Sequence, residues 1–122
     1  MRRGFPGSIL DAAHPPAPMI QTEIRILLDA PRTGEGAPTL ARLEDSLTSG
    51  YAQAMTLDSE RSRLQRRLAK VAAELEAGGG TSALELKRLA SRLAAIDEDL
   101  SELRSLLRAL RERRAEVLRA AA

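Results

Sequence analysis

Residues 74–86 read ELEAGGGTSALEL, three consecutive glycines between two leucine-rich and charge-rich segments. A glycine run in that setting is a phosphate-binding loop, a flexible linker or a turn, and the choice decides the fold. A phosphate-binding loop needs a lysine just before its Ser/Thr and a strand leading into it. GGGTS has neither. Glycine does supply the left-handed conformation in which helices commonly end, so Gly78, Gly79 and Gly80 read as a helix stop. Ser82, with Glu85 three residues further on, has the pattern of a capping box, in which a hydroxyl and a carboxylate satisfy the first free N–H groups of a new helix. The run is therefore read as a turn at 78–81.

The flanking segments carry a heptad pattern. Upstream, alternating steps of three and four lead from Leu40 through Leu43, Leu47, Gly50, Ala54, Leu57, Arg61, Leu64, Leu68 and Val71 to Leu75. Downstream they lead from Leu86 through Leu89, Leu93, Ile96, Leu100, Leu103, Leu107, Leu110 and Arg114 to Val117. A repeat averaging 3.5 residues keeps one apolar seam facing a partner helix, which is the signature of coiled-coil packing. The pattern predicts helices over about 39–77 and 82–120, inside a unit spanning 38–122, with Pro38 suited to a first turn where its missing N–H is no loss.

A loop of about five residues between long striped helices favours an antiparallel pair. Folding at the glycines sets a basic block (Arg61, Arg63, Arg66, Arg67, Lys70) near an acidic one (Asp97, Glu98, Asp99, Glu102). The expected fold class is all-α: two long helices in an antiparallel coiled-coil hairpin, with a mostly irregular N-terminal extension. Three seam positions depart from the pattern. Gly50 costs helix stability and marks a kink or a close crossing. Arg61 and Arg114 stand where leucine is expected; their stems can lie along the seam with the guanidinium at its edge, which sets register more readily than it binds a ligand.

Residues 1–37 are different in kind, holding five of the six prolines and four of the eight glycines without a heptad. Their one ordered segment is 19–29. Ile20, Thr22, Ile24, Ile26 and Leu28 alternate as in a strand, while Ile20, Ile24, Leu27 and Leu28 also share a helical face. The remainder is expected to be irregular, and Met19 offers a second candidate start. The opening MRRGFPGSIL resembles a twin-arginine export string but lacks the apolar stretch that such a signal needs, so a cytoplasmic location is expected.

Composition narrows the function classes. Aromatics make up 2% of the chain and charged residues 30%, the balance of long helices rather than an aromatic-rich core. Cysteine is absent and His14 is the sole histidine, in a proline-rich stretch; neither thiolate chemistry, a histidine-based triad nor a usual zinc set can be assembled. Neighbouring acidic residues in 97–102 point to different sides of a helix and form a solvated face. No catalytic residue, cofactor, metal or small-molecule substrate is expected, and no run is apolar enough for a membrane span.

The expectation is a non-enzymatic interaction, oligomerisation or adaptor module. It binds itself (as a homodimeric four-helix bundle) or another protein through a Leu/Ala seam. Two alternatives stand beside it. One is a nucleic-acid-associated protein using the arginines of RALRERRAEVLR (108–119), although a net charge of only +2 argues against it. The other is a hairpin whose tip, with Glu76 and Glu85, enters a larger enzyme.

Overall fold

A computed structural model of the chain describes residues 17–79 and 83–122. Among the described residues every regular element is a helix: α1 (Ala17–Asp29), α2 (Leu40–Glu76) and α3 (Ala83–Ala121). The chain divides into two compact units. Among the described residues the first takes in 17–54 together with Leu103–Ala122, and the second is Met55–Glu102.

Each boundary has a local cause. Thr39 caps α2: its Oγ1 accepts the N–H of Arg42 at 3.1 Å, while its carbonyl accepts that of Leu43. Pro38 thus lies just outside the helix, and the cap is the threonine after it. At the other end Gly78 adopts φ +83°, its N–H bonds to Leu75 O at 3.1 Å, and the Gly79 N–H bonds to Glu74 O at 2.7 Å. That pair of reversed bonds is a Schellman motif, which satisfies carbonyls the helix would otherwise leave open. Gly80 and Ser82, read above as turn and cap, lie outside the described residues, as does His14. Glu85 does fall in the first turn of α3.

In the N-terminal segment the open choice between strand and helix at 19–29 falls to a helix, Ala17–Asp29, and the expected irregular stretch before it lies outside the described residues. Packing settles the ambiguity in its periodicity. Ile20, Ile24 and Leu27 are buried, whereas Ile26, which a strand would turn inward with Ile24, is 58% exposed. The connection to α2 is irregular and turns through Gly34 and Gly36, both at positive φ.

In the first unit Ile20, Ile24 and Leu27 of α1 join Leu43 and Leu47 of α2 and Leu103, Leu107 and Leu110 of α3 as the buried apolar core. Gly50 is buried at the same level. A Cβ there would lie 2.4 Å from Leu107 Cδ2 and 3.4 Å from Ile24 Cδ1, so the missing side chain is the space those two residues fill. In the second unit the buried apolar residues are Leu57, Leu64 and Val71 from α2 with Leu89, Ile96 and Leu100 from α3. The other described residues of that unit are half-buried or exposed.

Candidate interaction surface

The seam residues expected from the heptads fall into two burial grades. Leu43, Leu47, Leu57, Leu64, Val71, Leu89, Ile96, Leu100, Leu103, Leu107 and Leu110 are buried. Leu40, Leu68, Leu75, Leu86, Leu93 and Val117 are half-buried. Arg61 and Arg114, the two charged seam positions, each reach a carboxylate. Arg61 pairs with Asp97, and Arg114 pairs with Glu44 through Nη2 at 2.8 Å and Nε at 2.9 Å. Arg67 donates to Glu85 at 2.8 Å, and that hydrogen bond, reinforced by the carboxylate's charge, holds the guanidinium even more firmly protonated than usual.

The sequence reading did not single out Arg113, one residue from the seam. It is buried, donating Nη2 to the carbonyl of Leu28 at 2.8 Å and Nη1 to that of Leu27 at 3.3 Å, with Nε 3.7 Å from Glu116. A helix leaves its last four carbonyls unpaired and carries partial negative charge at that end. The guanidinium meets both needs, so Arg113 caps α1 from another helix. Glu116 also pairs with Arg32 beyond the end of α1, and Glu23 on α1 accepts a hydrogen bond from Ser46 at 3.1 Å. The apolar face of α1 is thus flanked by polar contacts to both long helices.

The basic face of α3 in the first unit adjoins Tyr51. One hollow of about 470 Å³ is lined by Glu44, Leu47, Thr48, Tyr51, Arg111 and Arg114. A neighbouring one of about 270 Å³ is lined by Tyr51, Ala54, Arg104, Leu107, Arg108 and Arg111. They share Tyr51 and Arg111, so together they make one groove with a tyrosine at its middle. Leu47 and Leu107 are buried beneath it, while Tyr51 is 41% exposed. Arg114 is matched by Glu44, but among the described residues Arg108 and Arg111 have no carboxylate or other hydrogen-bond partner.

Apolar exposure is concentrated elsewhere. On α1, Met19 and Ile26 stand out beside Thr22 and Glu23. In the second unit Met55 is 70% and Leu84 54% exposed, and Ala69, Ala73, Ala90, Ala94 and Ala95 are open to solvent. Among the described residues no helix is long and apolar enough to cross a membrane, and no three His, Cys, Asp or Glu side chains gather as a metal site. Comparison with protein-family models, curated proteins and solved structures gives no match to this chain.

Proposed function

We propose that this protein is a non-enzymatic interaction module whose two long helices pair as an antiparallel coiled coil and self-associate through the Leu/Ala surface flanking their seam. The antiparallel arrangement is supported by the ion pairs within each unit. Glu44 reaches Arg114, Arg61 reaches Asp97 and Arg67 reaches Glu85, so earlier residues of α2 meet later residues of α3. The Schellman stop at Gly78 ends the first helix where such a pair must turn.

The observation that carries the self-association is the thin interior of the second unit. Its two helices bury one line of residues and leave Met55, Leu84 and five alanines outside. Two helices enclose little volume, and small scaffolds of this kind usually rely on a further packing partner. Alanines let a second helix pair approach closely, and flanking Arg and Glu select register. A homodimeric four-helix bundle over 55–102 satisfies both requirements.

Sedimentation velocity at tens of micromolar tests this reading. A dimer is expected, and Ala90→Glu with Ala94→Glu should return it to monomer without loss of helical circular dichroism. A wild-type chain that stays monomeric throughout would refute the self-association.

A further inference from the structure

We infer that the groove around Tyr51 in the first unit is a docking site for an acidic helix of a partner protein. The inference rests on the reading of the chain as an interaction module and adds a second surface, with the chemistry of what it takes. Arg104, Arg108, Arg111 and Arg114 follow one another on α3 at steps of four, three and three, so they line one face of the helix and one wall of the groove. From Arg104 to Arg114 that line rises about 15 Å.

Its charge is only partly matched. Glu44 answers Arg114, while Arg108 and Arg111, both exposed, have no partner among the described residues. A guanidinium presents a planar fork of donors that fits a carboxylate through two parallel hydrogen bonds. Glutamates three and four residues apart on a helix recur at the same rise as these arginines, so a helix laid along the groove meets them in register. Tyr51, at the middle, offers an apolar ring with a polar tip, the kind of side chain that anchors protein interfaces.

A nucleic acid fits the groove less well. Single strands are held by stacking successive bases on aromatic rings, and this groove has one ring along its whole length.

Tyr51 is the sole tyrosine and tryptophan is absent, so tyrosine emission reports on the groove directly. The probe is a synthetic helical peptide with glutamates aligned along one face, compared with an isomer of equal composition whose glutamates are spread around the helix. The aligned peptide should change Tyr51 emission saturably and bind roughly tenfold or more tightly than its isomer. Arg108→Glu with Arg111→Glu should weaken it by about the same factor. The charge-equivalent pair Arg63→Glu with Arg92→Glu should not, and circular dichroism should show all variants equally helical.

Equal binding of the two isomers would overturn the proposal, as would absence of binding or tighter binding of an oligothymidylate that perturbs Tyr51. Sedimentation keeps the two readings apart. A chain that dimerises but ignores the aligned peptide loses this docking site alone, and one that does neither loses the interaction module as well.

Discussion

The two units of this chain are built from the same two long helices and the same heptad repeat, yet they bury their residues to different depths. In the first, Ile24, Leu43, Leu103 and Leu110 have no exposed surface at all. In the second, Leu57, Leu64, Leu89 and Ile96 keep between 6% and 9% of theirs, and Val71 and Leu100 alone come down to 1–2%. The first unit has α1, which closes a third side with Ile20, Ile24 and Leu27 and presses on Gly50 where α2 lacks a side chain. The second has only its paired seam, with exposed alanines on either side and surface ion pairs at Arg61–Asp97 and Arg67–Glu85. A heptad repeat specifies which residues turn inward. How dry that interior becomes depends on what packs across the remaining face.

Truncation of the interior is the strongest way to break this comparison. Leu103→Ala empties a fully buried site in the three-helix unit, which cannot collapse far, so both the transfer loss and the cavity cost apply in full. A destabilisation of about 3–4 kcal/mol is expected by urea denaturation. Leu64→Ala empties a site between two helices, where neighbours and water can move in, and about 2 kcal/mol or less is expected. Equal losses at the two positions would mean that the second unit is as enclosed as the first. In the proposed dimer, that equality should emerge as protein concentration rises.

Arg113 gives the next effect. Its guanidinium holds the carbonyls of Leu27 and Leu28, and hydrogen bonds from a charged donor to such groups are worth about 1.5–3 kcal/mol. Arg113→Ala is expected to cost about 2 kcal/mol. The loss should be local: amide exchange should quicken across α1 and stay unchanged in residues 55–76. Arg113→Lys keeps the charge but not the fork and should restore only part of the protection. Uniform acceleration over both units would show that α1 is not an independently released element.

The buried heptad leucines and Arg113 mark what the sequence makes legible and what it hides. The seam was legible because a long repeat sums many weak preferences, and Gly78 because a left-handed residue after a heptad run has a narrow meaning. The segment 19–29 was not, since its isoleucines satisfy a period of two and a period of 3.6 alike. What decides between them is the buried face offered by α2 and α3, which no local pattern contains. Arg113 was hidden for a similar reason. A step of four from Leu110 gives the seam residue Arg114, and a step of three gives Arg113. Only the arrival of the α1 carbonyls, 85 and 86 residues away in sequence, distinguishes one arginine from the next. The Tyr51 groove had a partial signal in the arginine-rich run 108–119, but which arginines lack a partner is a property of the folded chain.

The smallest effect belongs to Arg61, the charged seam residue of the second unit as Arg114 is of the first. It is a seam arginine paired with Asp97, yet 40% of its side chain is exposed and Asp97 is equally open. Water screens both charges, so the pair is worth about 0.2–1 kcal/mol at most. Arg61→Leu removes it and places an apolar side chain on the line between Leu57 and Leu64, which regains a similar amount by burial. The net change in the urea midpoint should therefore be close to zero or slightly stabilising, with little dependence on salt. A loss above about 2 kcal/mol would mean that Asp97 had been left uncompensated in a dry site. The second unit would then hold a buried polar interaction like that of the first, and the contrast between the two would lie in helix number alone.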